Sequence, residues 1–172
     1  MMARDSAAPE IVRLDRIDST QSVAFTLAER GAADRTVVVA DQQLAGRGRR
    51  GRVWQAPPGS SLLASILVRP RLPQSLLPTL SPTTAVATAE ALRRVASVAA
   101  RVKWPNDVLV GGRKIAGILL ESRPLTVPGT ALVVGIGINL GQGEFPPELA
   151  GRATSVALET GRAVDRDTML AV

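Results

Sequence analysis

Three short stretches gather most of the side chains in this sequence that could do chemistry. Residues 46–54, GRGRRGRVW, set Arg47, Arg49, Arg50 and Arg52 among glycines 46, 48 and 51 and end on Trp54. Guanidinium forks pair with phosphate or carboxylate oxygens, glycines let a backbone come close to a ligand, and an indole offers a flat face to a base or a cation. Residues 103–114, KWPNDVLVGGRK, hold both lysines of a chain whose other basic residues are all arginine. A hairpin turning at Gly111-Gly112 would lay Asn106 and Asp107 beside Lys114, so an amide, a carboxylate and an ammonium converge. Residues 135–139, GIGIN, place glycines where a backbone or a ligand comes close. Both tryptophans, Trp54 and Trp104, and both asparagines, Asn106 and Asn139, fall in these same stretches.

Each stretch also has a plainer reading. The arginine loop could be a solvated basic loop or an RGG-like nucleic-acid contact, the hairpin a surface turn with an exposed ion pair, and GIGIN a strand with packing glycines. GRGRRG matches G-x-G-x-x-G, but four arginines crowd that tight turn, and the Gly-Lys-Ser/Thr of a phosphate-binding P-loop is absent.

The rest of the composition narrows the chemistry. There is no cysteine and no histidine, which excludes disulfides, Ser-His-Asp and Cys-His triads and the usual zinc sites. Asp, Glu, Lys, Arg and backbone amides remain, so any catalysis is electrostatic. A net charge of +6 suits an anionic partner: nucleic acid, a phosphate ligand or an acidic protein. No N-terminal run is long enough for a signal sequence and no stretch approaches the ~20 apolar residues of a membrane span, so a soluble, cytoplasmic protein is expected.

The elements that must position these residues follow from the apolar periods. Residues 11–17 alternate as a half-buried strand, and 18–31 read as a helix with Asp18, Ser19 or Thr20 as N-cap, a stripe of Val23, Ala24, Leu27 and Ala28, and a stop at Gly31. TVVVADQQ and SSLLASILVRP read as buried strands on either side of the arginine loop. Residues 83–97 predict a helix packed through Val86, Ala89 and Leu92, with Arg93 and Arg94 solvated in its last turn. A short strand at 101–103, the hairpin and a strand ending in GIGIN follow, and Asp165 or Asp167 caps a last helix of about two turns. The expected class is α+β, a mixed sheet with helices mainly on one face.

DSTQ at 18–21, QQLAGRGRRGRVW at 42–54, KWPNDVLVGGRKIAGILLE at 103–121 and GIGIN, in that order, resemble the catalytic domain of biotin protein ligases, and ATSVALETG at 153–161 continues the likeness. The resemblance implies a class II aminoacyl-tRNA synthetase-like fold. It implies two half-reactions: biotin and MgATP give biotinyl-5′-AMP and pyrophosphate, then biotin passes to a lysine of a biotin carboxyl carrier protein, a subunit of acetyl-CoA carboxylase. By matching position it implies biotin contacts at Ser19, Thr20, Gln21, Gln43, Arg47, Gly48, Arg49, Lys114, Gly117, Gly135 and Gly137. It implies ATP or adenylate contacts at Arg47, Arg49, Arg50, Arg52, Trp54, Asn106, Lys114 and Asn139, with Mg²⁺ arriving on ATP and no protein ligand assigned to it. Lys114, Arg49 and Asp107 would carry catalysis, Asp107 by holding or deprotonating the acceptor lysine.

On this reading residues 1–10 are an N-terminal extension and 11–172 the catalytic domain, cut short at its C-terminal end. The small β-barrel domain of the family and the N-terminal helix-turn-helix of its repressor members are missing, so no DNA and no membrane partner is expected, while the sheet edges offer a homodimer contact. Gln21 stands where many members carry Asn, and Leu44 where many carry a polar residue. The competing readings are a non-catalytic biotin-binding fragment, a lipoate or octanoyl transfer protein of the same superfamily, and a basic nucleic-acid binder whose affinity falls steeply with salt.

Overall fold

The alternation at 11–17 and the apolar runs that follow build one sheet. The computed structural model describes residues 9–70, 72–125 and 130–172; the first eight residues of the expected N-terminal extension lie outside them. The strands are β1 (Ile11–Ile17), β2 (Val37–Gln43), β3 (Ser61–Val68), β4 (Arg101–Lys103), β5 (Asp107–Val110), β6 (Arg113–Pro124) and β7 (Thr130–Asn139). They line up in the order β1-β2-β3-β7-β6-β5-β4. Helix α1 (Thr20–Glu29) carries the chain from β1 to its parallel neighbour β2, and every other pairing is antiparallel. The sheet is therefore mixed, as the sequence implied.

Helices load its two faces unequally. On one face α2 (Leu80–Ala96) lays Ala85, Ala89 and Leu92 against Leu62, Ala64, Ile118 and Ile138, joined by Val156 of α3 (Val156–Thr160) and Met169 of α4 (Arg166–Leu170). A side chain as fully buried as Leu92 contributes roughly 1.5–3 kcal/mol. On the other face α1 stands alone among the described residues, with Ala24, Phe25 and Ala28 on Val38, Leu67 and Val133. Strand alternation puts Leu63, Gly137 and Gly117 on that same face, in register with one another but toward the opposite end. Among the described residues no helix covers that end, and the arginine loop lies over it.

Several local expectations need correction. Val86 is 47% exposed, because the buried stripe of α2 runs through Ala85, Thr88, Ala89, Leu92 and Ala96, one position round from the spacing anticipated. Arg93 is not simply solvated: its Nε and Nη2 donate to the Ala100 carbonyl at 2.9 and 2.6 Å, clamping the loop after α2. In α1, Ser19 occupies the N-cap position but makes no side-chain cap. The Thr20 N–H donates instead to Gln43 Oε1 at 2.8 Å, so β2 satisfies a helix-end donor. The stripe of α1 is centred on Ala24, Phe25 and Ala28, with Val23 and Leu27 at its margin.

Other expectations hold. Gly111 and Gly112 take φ of +56° and +82°, the left-handed pair a two-residue hairpin requires. Asp165 caps α4, accepting from the Thr168 N–H at 2.9 Å, and that bond holds its carboxyl below the usual aspartate pKa. A helix of five residues is marginal alone. Met169 anchors it in the core, Arg13 meets Asp167 at 2.6 Å, and Arg166 pairs with Asp41 on β2. No helix among the described residues is long and apolar enough to cross a membrane.

Candidate ligand site

The half-face left bare by α1 is floored by residues with little or no side chain. Across β3, β7 and β6 the in-register rows are Leu63, Gly137 and Gly117, then Ser65, Gly135 and Leu119. Three glycines in adjacent strands make a depression that alanines would fill. A Cβ on Gly137 would lie 2.6 Å from Trp54 Cε2, one on Gly117 2.9 Å from Lys114 Nζ, and one on Gly135 3.0 Å from Gln21 Cδ.

The arginine loop roofs the depression as a closed hairpin. The Gly48 N–H donates to the Arg52 carbonyl at 2.7 Å and the Trp54 N–H to the Gly46 carbonyl at 3.0 Å, and Arg47 and Val53 form an antiparallel bridge. The tip turns through Arg50 and Gly51 at φ +58° and +73°. Three struts tie it to the sheet: Arg47 Nη2 to Glu121 Oε2 at 2.8 Å, Arg49 Nη1 to Asn106 Oδ1 at 2.6 Å, and the Trp54 indole lying on Gly117 and Gly137.

Two adjoining hollows result. The inner one, of about 460 Å³ including space open to solvent, is lined by Ser19, Thr20, Gln21, Gln43, Arg47, Gly48, Arg49, Trp54, Asn106, Lys114, Gly117, Gly135 and Gly137 among others. Every residue that the resemblance set on biotin is in its wall. The outer one, about 1220 Å³ on the same measure, is lined by Arg49, Arg52, Trp54, Lys103, Asn106, Asp107, Lys114, Asn139, Phe145, Leu149 and Arg152 among others. Gly48, Arg49, Trp54, Asn106 and Lys114 border both hollows.

Hydrogen bonds fix the walls. Thr20 Oγ1 donates to Gln43 Oε1 at 3.0 Å and shares a 2.7 Å bond with Ser65 Oγ. Gln21 Nε2 donates to the Leu119 carbonyl at 3.1 Å. Lys114 Nζ lies 2.7 Å from Asp107 Oδ1 and 5.5 Å from the centre of the Trp54 ring. Asn106 Nδ2 donates to the Ile118 carbonyl at 3.1 Å and to Asp107 Oδ1 at 3.3 Å. The convergence expected of the hairpin is therefore present, with the loop's arginine added to it.

Two of the anticipated residues stand apart. Arg50 points into neither hollow; it lies on an outer groove with Arg52 and Glu121, because the left-handed turn at the tip directs it away. Asn139 borders the outer hollow but is only 4% exposed, and its amide is already engaged, donating to the Thr154 carbonyl at 3.0 Å and accepting from Gln142 Nε2 at 3.0 Å. Sequence reasoning missed Glu121, Ser65 and the buried Gln142–Ser61 pair behind Asn139. It also missed Phe145, Leu149 and Arg152, a loop with no periodic signal to read.

Among the described residues no group of three or more acidic side chains could hold a metal ion, and Asp107 is the sole carboxylate lining either of the two hollows. Mg²⁺ commonly binds through substrate phosphates plus one or two carboxylates, so the donor set fits a metal delivered with a nucleotide.

Comparison with known proteins accords with this geometry. Residues 14–139 match the family model described as the biotin/lipoate A/B protein ligase family. A biotin–[acetyl-CoA-carboxylase] ligase of Paracoccus denitrificans is 42% identical over 162 residues, 91% of this chain and 67% of that protein. A bifunctional ligase/repressor BirA of Bacillus spizizenii is 39% identical over 158 residues, covering 91% of this chain but 49% of its own length. The chain thus spans about half the length of some curated relatives it matches. Among solved structures, a biotin protein ligase from Aquifex aeolicus in complex with biotin and ATP superposes with a TM-score of 0.79 at 36% identity, over 94% of this chain and 66% of that one. One from Leishmania major with biotinyl-5-AMP gives 0.79 at 28%, over 96% and 72%. With the family model spanning residues 14–139 and a relative 42% identical covered to 67% of its length, the chain belongs to the biotin/lipoate A/B protein ligase family.

Proposed function

We propose that this chain is the catalytic unit of a biotin protein ligase, activating biotin with ATP and passing it to a lysine of a biotin carboxyl carrier protein. The observation that carries the reading is the junction of two hollows at Arg49, Trp54, Asn106 and Lys114. The inner hollow takes biotin and the outer one the nucleotide, so the biotin carboxylate meets the α-phosphorus at that junction. Its oxygen bonds to phosphorus, the bond from the α-phosphorus to the bridging oxygen breaks, and pyrophosphate leaves.

Bringing two anions together is the main barrier, and fixed positive groups aimed at the transition state lower it. Arg49 and Lys114 supply them, with Arg52 on the nucleotide side. Mg²⁺ bound to the phosphates would add charge neutralisation there. The buried floor and the hairpin roof keep water from the mixed anhydride. In the second step the acceptor amine attacks the acyl carbon and AMP departs, and Asp107, at the mouth of the junction, orients that amine and takes its proton. Ser19, Thr20, Gln21 and Gln43 address the biotin ring system from the far end of the inner hollow. A lipoate substrate has less support, because the Paracoccus denitrificans relative and both solved structures are named for biotin.

The test is biotin-dependent ATP–pyrophosphate exchange by the purified 172-residue chain. Exchange places adenylation in this segment; biotin binding without exchange would reduce it to a binding fragment, and loss of both would overturn the reading. The floor gives a second measurement. Gly137→Ala should weaken biotin binding about tenfold by calorimetry, the cost of overpacking a tight site, because the new methyl displaces the Trp54 indole from the surface it lies on.

A further inference from the structure

We infer that Glu121 is a positioning residue: it grips one nitrogen of Arg47 so that another N–H of the same guanidinium is offered to the anionic end of the ligand in the inner hollow. The inference rests on the biotin ligase reading above.

Glu121 stands on β6, on the face that carries Gly117 and Leu119, in register with Val133. Its carboxylate accepts from Arg47 Nη2 at 2.8 Å, and the two side chains are 30% and 32% exposed. Arg47 forms part of the wall of the inner hollow and also borders the outer groove where Glu121 lies. Yet Arg47 Nε is buried and has no hydrogen-bond partner. A buried donor without an acceptor is costly, and here the donor belongs to a charged group beside a hollow walled by further cationic side chains. Trp54 Nε1, in the same wall, is in the same condition.

The pairing differs in kind from those that hold Arg49 and Lys114. Asn106 and Asp107, which both line the outer hollow, occupy Arg49 and Lys114 where ligand oxygens must compete with them. Glu121 lies outside the inner hollow and leaves Nε free, so a ligand oxygen can bond Arg47 without displacing it. A carboxylate in that position orders a long flexible side chain before the ligand arrives, which lowers the entropy lost on binding.

The experiment titrates biotin and biotinol, its neutral alcohol analogue, into wild type, Glu121→Gln, Glu121→Ala, Arg47→Ala and the Arg47→Ala/Glu121→Ala pair. Glu121→Ala should weaken biotin about tenfold and biotinol less than twofold, Glu121→Gln, which keeps an acceptor oxygen but loses the charge, should weaken biotin about threefold and leave biotinol unchanged, and the double variant should bind like Arg47→Ala alone. Unchanged or tighter biotin binding by either Glu121 variant would overturn the inference, marking the carboxylate as a bystander or a competitor. Equal loss for both ligands would do the same, since it would make the role purely structural. Should Glu121→Ala not fold, a loss in Glu121→Gln that is confined to biotin decides in favour, and an equal loss or none decides against. Wild type that binds no biotin would instead refute the ligase reading.

Discussion

Lys114→Ala should lower biotin-dependent ATP–pyrophosphate exchange about 10²–10³-fold, the loss typical of removing one preorganised donor to a transition-state anion. Lys114 borders both hollows, and its ammonium has a fixed place: 2.7 Å from Asp107, over the Trp54 ring, above Gly117. Truncation removes the positive charge and also leaves the Asp107 carboxylate unpaired where two further anions must enter. The two contributions separate in a double variant. Lys114→Ala/Asp107→Asn should recover part of the lost exchange, by the share due to the stranded carboxylate. If Lys114→Ala lowers exchange by less than tenfold and raises only the KM for biotin, Lys114 acts in ground-state binding alone.

Asp107→Asn should separate the two half-reactions. Biotin transfer to the carrier protein should fall about 10²-fold or more, the scale of a lost general base, while ATP–pyrophosphate exchange stays within a few-fold of wild type. The asymmetry follows from position: Asp107 lines the outer hollow alone, whereas its partner Lys114 reaches the inner one as well. Single-turnover transfer from preformed biotinyl-5′-AMP measures the second step without the first, and an unchanged rate there would sink the proposed role.

Much of this arrangement could be read from the chain because its signals are local. The Gly-Gly turn set the hairpin, and the hairpin alone sufficed to bring Asn106, Asp107 and Lys114 together. The glycines of the floor were visible as types, although their alignment across three strands depends on register and not on local spacing. What escaped were partners distant in sequence and ordinary in type. Glu121 lies 74 residues from Arg47 and Gln142 81 from Ser61, and nothing in a lone glutamate or glutamine announces such a meeting. The surplus of alanine in α2 hid its direction, since an alanine-rich helix has a weak apolar contrast and Val86 was the most conspicuous residue on the wrong side. The roof also proved more ordered than a glycine- and arginine-rich run suggests, because its hydrogen bonds are between its own two arms.

The floor and the roof of the inner hollow differ in how they are held. The floor strands β6 and β7 lie inside the sheet, each bonded on both sides, and their opposite face carries the main core. The hairpin is fastened by a few bonds and three struts at its surface. Backbone amides of residues 115–119 and 135–138 should therefore exchange with deuterium only when the whole domain opens, while those of 47–53 exchange through small local openings. Ligand entry and product escape then cost no disturbance of the fold, and residence time is set by the fastening of one hairpin. On the proposed ligase reading, changes confined to that hairpin retune how long the reactive intermediate is kept without altering the shape of the surface on which it rests.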